Sequence, residues 1–493
     1  MSHTLFRGPR SLVLGFCLIA VAFALTQLLQ VNGRESPDTR QYVAYSLMLS
    51  GQSREQAAAH TIDYYCESER IRHVQNARVD VASFMNPGHG GRAYRDCRKY
   101  EEDRVRAVTA QGGVSGYMSL FSTPRMSAIF ATRPGYPALL VPYLAVLGLK
   151  WGLWAAAVTM TVAASALIVV LLRGLGMRPP AALVGQVLYY VLPVSEQTMR
   201  PMSEGLLLAA VMVVVLACVR LLHGHSPRMW LGIAAAGFAL AALTKYSETL
   251  LIAGCLALVP AAMVVWRRLR GRRVPRRTLA LTALCMGTAV AVQTTVQVLD
   301  LPSARESMQD LFAHFSRPDV PDPWHRLMIL NGAFWVDWVR EQCITPLTAA
   351  LLGAGAWGVL RRGRALAGIM FAVTAAGLLN QAGHPDVGIG PRLAVLIWLL
   401  PVIGIPLLWA GYRQVEQLPG GAEGRQTHPQ PVPVPNDIGA LVRADPSGVP
   451  EVPRGVAGAG TDGSSARPGT RSRLRVLEVW GRLFVERSRG RIS

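Results

Sequence analysis

Charged residues in this chain crowd the ends of long apolar runs, and several are of types that can do chemistry. Asp38 stands just beyond the first apolar run, in Ser36 to Leu49, with Tyr42 one helical turn later. A carboxylate in that position can take a proton from an acceptor hydroxyl. Arg133, in Thr132-Arg-Pro-Gly-Tyr-Pro137, carries a guanidinium whose forked donors suit phosphate oxygens. Glu196, Arg200 and Glu204 share one polar turn, Lys245 and Glu248 share another, and Arg392 opens a late apolar run. Asp337, Arg340, His384 and Asp386 have similar settings. Taken singly, each is equally well explained as an interfacial anchor. Glu204 has the further explanation that a carboxylate is favoured by the dipole at a helix N-terminus.

The elements that must position these residues are membrane spans. Of the 493 residues 51% are hydrophobic, and they come in blocks near the roughly 17–25 residues that a spanning helix needs. Hydropathy places ten spans, at about 12–31, 152–172, 181–194, 205–222, 229–243, 249–266, 279–299, 347–360, 365–379 and 393–410. The expected fold is therefore an all-α polytopic membrane domain over residues 1–411. Between Arg267 and Arg277 lie seven arginines in eleven residues, and such a loop belongs on the cytoplasmic side. That assignment puts both termini in the cytoplasm and two large loops outside, 32–150 and 300–345. The stretch Tyr136 to Leu149 is expected to lie on the membrane, because an eleventh crossing would put the seven-arginine loop outside. The first run is too long for a typical signal-peptide core and lacks a small-residue cleavage pattern, so it reads as an uncleaved anchor.

The net charge of +20 does not imply nucleic-acid binding, since the basic residues sit in short clusters between apolar blocks. Residues 412–470 are rich in Pro, Gly, Ser and Thr and read as a disordered cytoplasmic linker. In 471–493, Leu474, Leu477, Trp480 and Phe484 fall near helical spacing among arginines. That tail reads either as an amphipathic segment on anionic lipid or as a solvated basic end. Cys66 and Cys97 share the first outer loop, whose compartment permits a disulfide; free thiols and pairing with Cys343 stay open. Asn86 to Gly91 lacks the Lys of a phosphate loop, and His223 and His225 lack partners for a metal.

In layout, residues 12–410 resemble the GT-C superfamily of membrane glycosyltransferases, which includes the aminoarabinose transferases and protein mannosyltransferases. The resemblance rests on the acidic segment with Asp38 and Tyr42 after the first span, and on the Arg-Pro-aromatic run at Arg133. It also rests on Met202-Ser-Glu204 opening a helix, and on Gly390-Pro-Arg392 leading to a late span. The family's usual tyrosine after that arginine is Leu393 here, which departs from the pattern. The resemblance implies Asp38 as general base and Arg133 on the phosphate of a lipid-linked donor.

The expected function is transfer of a sugar from a polyprenyl-phosphate carrier to a hydroxyl of a cell-envelope glycan, lipid or protein. Arg392 or Lys245 would join Arg133 on the phosphate, while Tyr42, Arg200, Glu196 and Glu204 would line the substrate site, the two glutamates orienting the acceptor or a divalent cation. Two other classes compete: a transporter or lipid flippase, for which the chain shows no convincing internal repeat, and a non-catalytic membrane scaffold.

Overall fold

A computed structural model describes residues 9–314, 318–386 and 390–409, within one unit, Met1–Val415. The linker and basic tail expected over 412–470 and 471–493 lie outside the described residues.

Every regular element among the described residues is helical. Helix α1 (Pro9–Gln27) exposes Val13, Leu14, Leu18, Val21 and Leu25, as a helix facing lipid would, and a short 3-10 turn, Leu28–Gln30, extends it. The first polar region folds into α2 (Pro37–Leu49), α3 (Arg54–Arg78), α4 (Gly91–Gln111) and α5 (Pro124–Ala131). Capping boxes at Ser36 and Ser53 start α2 and α3, each satisfying backbone donors that the helix cannot. A buried ion pair between Arg40 and Glu101 ties α2 to α4, and the Arg40 guanidinium lies 4.7 Å from the centre of the Tyr65 ring.

Cys66 and Cys97 are disulfide-bonded, joining α3 to α4, while Cys343 is a free, exposed thiol. The bridge closes a sequence separation of 31 residues, and the loop-entropy relation gives it a stabilisation of about 3–4 kcal/mol. Replacing both cysteines by serine should therefore lower the melting temperature of the purified protein clearly, whereas Cys343→Ser should leave it unchanged. Equal melting of all three proteins would show that the bridge adds nothing.

Helix α6 (Gly135–Gly174) is two segments joined at Gly148, whose φ of +70° few side chains tolerate. The stretch expected on the membrane surface, 136–149, is thus the first segment, joined to the second span by this break. Then follow α7 (Pro179–Val191), α8 (Pro193–Met199), α9 (Glu204–Leu222), α10 (Pro227–Leu269) and α11 (Arg276–Val298). The polar turn expected after the third span holds a helix of its own, α8, started by Pro193. The later region contains α12 (Ala304–Ala313), α13 (Pro323–Ile344), α14 (Leu347–Arg362) and α15 (Arg364–Gly383). The described chain ends with α16 (Gly390–Leu393), a 3-10 turn, and α17 (Leu399–Leu408).

Six of these helices are long and apolar enough to cross a membrane: α1, α6, α9, α10, α11 and α15. The pair α13 and α14, bent by 90°, makes a seventh if it counts as one span. The pattern is that of a multi-pass membrane protein, with fewer clear crossings than the ten expected. Spans five and six are arms of the single 43-residue α10. Two other expected spans, α7 with 13 residues and the apolar stretch Val395–Leu408, are short of the about 20 residues a crossing needs. One large core joins α6, α7, α9, α10, α15 and α17 through residues such as Ile168, Tyr189, Val215, Ile252, Met370 and Val402. A second, with Tyr42, Phe130, Tyr136 and Leu206, seats the α2–α5 region on α6 and α9.

Candidate functional site

The N-cap at Ser36 fixes Asp38 in the first turn of α2, where the dipole favours a carboxylate. Arg392 approaches from the other end of the chain, on α16, where the Asn380 amide donates to the Leu393 carbonyl at 3.1 Å. Arg392 Nη1 donates to Asp38 Oδ2 at 2.5 Å, and Arg392 Nε lies 3.1 Å from Glu204 Oε1. Glu204 opens α9, and the same Oε1 accepts from Lys245 Nζ at 2.9 Å. Lys245 Nζ also donates to Glu248 Oε1 at 2.8 Å. Five charged groups from α2, α9, α10 and α16 therefore form one continuous network.

Lys245 reaches the network because α10 breaks there: its φ of −156° and ψ of 89° are non-helical, and the two arms of the helix meet at this residue. The start of α6 packs on the break so closely that a Cβ on Gly135 would stand 3.0 Å from the Leu243 carbonyl. That contact brings Arg133 and Tyr136 alongside. The Arg133 guanidinium lies 5.9 Å from the centre of the Tyr246 ring and 6.0 Å from that of Phe130, within cation–π range. Tyr42 places its hydroxyl 2.9 Å from Ser203 Oγ and its ring edge-on to Phe130 and Tyr136.

Charge is balanced within the network only if Arg133 is included. Asp38, Glu204 and Glu248 face Lys245 and Arg392, while Arg133 makes no ion pair among the described residues. Nearby His384 has its pKa lowered by burial and then by the cations Arg392, Arg133 and Lys245, so it stays neutral and adds no fourth positive charge. Burial is uneven. The side chains of Glu204 and Lys245 are 3% and 5% exposed, whereas Asp38 and Arg392 keep 17% and 21%, so the network is reached from the Asp38–Arg392 side.

Three buried polar atoms here have neither a hydrogen-bond nor an ion-pair partner among the described residues: Arg133 Nε, the Tyr136 hydroxyl and Glu204 Oε2. Such groups are uncommon, and water or a polar ligand would satisfy them. A divalent cation fits poorly: Glu204 already faces an ammonium and a guanidinium, and no group of three metal-ligating side chains occurs among the described residues.

The structure thus brings Asp38, Tyr42, Glu204, Lys245 and Arg392 together, with Arg133 alongside. Glu196 and Arg200 go elsewhere. They pair with each other at 2.9 Å and line a separate cleft of about 410 Å³ with Arg34, Glu35 and Arg72. The Ser36 hydroxyl, 2.8 Å from Met202 Sδ, joins the two chain segments between cleft and network. Sequence reasoning gave no role to Tyr136, Ser203 or Tyr246, which look like ordinary membrane-helix residues; their only signal is closeness to Arg133, Glu204 and Lys245 in the chain. No protein-family model matches this chain, and no curated protein matches it.

Proposed function

We propose that the chain is a GT-C-type membrane glycosyltransferase that moves a sugar from a polyprenyl-phosphate carrier to a hydroxyl on an extracytoplasmic acceptor. In this reading the chain crosses a cell membrane about ten times, with both termini in the cytoplasm. The observation that carries it is the Asp38–Arg392–Glu204–Lys245 network, with Arg133, which has no ion pair among the described residues, at its side.

The chemistry follows from the charges. Asp38 takes the acceptor proton, and Oδ1 is the oxygen for it, since Oδ2 holds Arg392. The acceptor oxygen attacks the anomeric carbon from the face opposite the phosphate. The bond from that carbon to the phosphate oxygen breaks, and the carrier phosphate leaves with the electron pair. Arg133, alone or with Arg392, stabilises the charge that gathers there. A phosphate leaving group needs no general acid. Glu204 and Glu248 hold Lys245, and Glu204 also holds Arg392, so the cations keep their places as the phosphate arrives and departs. Tyr42 and Tyr136 wall the site on the α6 side.

The test is to incubate purified protein with a panel of polyprenyl-phosphate sugars and an acceptor extract, and to measure released polyprenyl phosphate. Release that depends on both donor and acceptor is expected. No release from any donor, with folded protein, would count against the reading.

One observation favours a second reading, a transporter or flippase. Lys245 is a buried cation at a break within a long apolar helix, as in the discontinuous helices at transport sites. Substrate flux into proteoliposomes without sugar transfer would select it.

A further inference from the structure

The cleft that holds Glu196 and Arg200 has no part in the proposed transfer. We infer that it binds a phosphate group carried by a membrane lipid, gripped by Arg34, Arg200 and Arg72. The inference needs α1 to sit in a bilayer, and it does not depend on sugar transfer.

Position is the first argument. Gln27 and Gln30, at the end of the apolar α1 and its 3-10 extension, line the cleft, and between them Leu29 is 85% exposed. Leu29 continues the exposed apolar face of Leu18, Val21, Leu25 and Leu28, so a bilayer around α1 would end at the cleft, where acyl chains give way to headgroups. Charge is the second. Three guanidinium groups line the cleft against two carboxylates; the carboxylates are engaged, and Arg72 is held from outside the cleft by Glu69. Glu35 accepts from the Tyr64 hydroxyl and, at 2.8 Å, from the Gly33 N–H, while Glu196 accepts from Arg200. Arg34 is left with a neutral partner, the Gln27 side-chain carbonyl at 2.6 Å, and has no ion pair among the described residues. Burial lowers its pKa, against the opposing pull of the Glu196 and Glu35 carboxylates nearby.

Size and exposure are the third. A volume of about 410 Å³ accommodates a phosphate with its glycerol. The Glu196 side chain is 56% exposed, so it can swing into water and release Arg200 to a phosphate oxygen. Forked guanidinium donors then meet phosphate in the geometry that favours Arg over Lys.

The test uses the full chain in detergent micelles, titrated with dioleoyl phosphatidic acid and read by native mass spectrometry. The wild type should hold one phosphatidic acid tightly, and R34Q/R200Q should bind it at least tenfold more weakly. R270Q/R272Q, altered in the arginine-rich segment after α10, should match the wild type. E196Q, which frees Arg200, should bind several-fold tighter and serves as the decisive variant should the double substitution fail to fold. Equal binding by the wild type, R34Q/R200Q and E196Q would overturn the site. Equal retention of dioleoylglycerol would overturn the role of phosphate. Displacement by inorganic phosphate at equimolar concentration would assign the cleft to free phosphate and overturn the lipid.

Discussion

Asp38→Asn should reduce sugar transfer by about 10²- to 10⁴-fold, the span typical of a lost general base, while the protein still folds and reaches the membrane. The amide has the size of the carboxylate but cannot accept the proton. Arg392 keeps Glu204 as a partner at 3.1 Å, so the network is not dismantled. The Asp38–Arg392 pair is also the more exposed part of the network, so its loss should cost less stability than the about 3–5 kcal/mol of breaking a fully buried pair. Asp38→Glu should recover part of the rate. Asp337→Asn, which alters an exposed aspartate paired with Arg340, should leave turnover at the wild-type value. The measurement is polyprenyl phosphate released per minute at equal amounts of folded protein. Undiminished turnover in Asp38→Asn would remove Asp38 from the mechanism.

Lys245→Met is expected to give the largest loss of stability. The ammonium lies within 2.9 Å of Glu204 and 2.8 Å of Glu248, and all three side chains are buried. Removing the cation leaves Glu248 without a partner and Glu204 with Arg392 alone, and breaking a buried pair in this way costs about 3–5 kcal/mol. Restoring neutrality should reverse much of it: Lys245→Met combined with Glu204→Gln and Glu248→Gln should melt closer to the wild type than Lys245→Met does. Thermal melting of the purified proteins decides the matter. A single variant as stable as the wild type would mean that these charges are hydrated and not paired.

The charges that form the network were legible in the sequence because charge beside an apolar run is rare enough to stand out. Asp38, Glu204, Lys245 and Arg392 each stand out for that reason. Their pairing was not legible, since it depends on how α2, α9, α10 and α16 pack, and no spacing rule links Asp38 to Arg392. Glu196 and Arg200 show the limit of the same reasoning. They lie in the turn that also holds Glu204, yet α8 intervenes and carries them to a different cleft. For α10, hydropathy saw two apolar blocks around Thr244 to Glu248 and inferred a turn. The backbone instead stays helical on both sides of Lys245, because the buried network satisfies the charges that would otherwise demand water. The Cys66–Cys97 bond was one of several possibilities, and the packing of α3 on α4 settles it.

The pair that closes the site joins residues 354 positions apart. At a synthesis rate of about 5–20 residues per second, roughly 20–70 seconds separate the emergence of Asp38 from that of Arg392. Through that interval the nascent protein carries an aspartate whose counter-ion has not yet been translated, and Glu204 likewise waits for Lys245. A chain truncated before α16 would hold Asp38 and most of the membrane domain but not the Arg392 guanidinium. Cellular quality control would meet such a fragment as an inserted but unpaired charge.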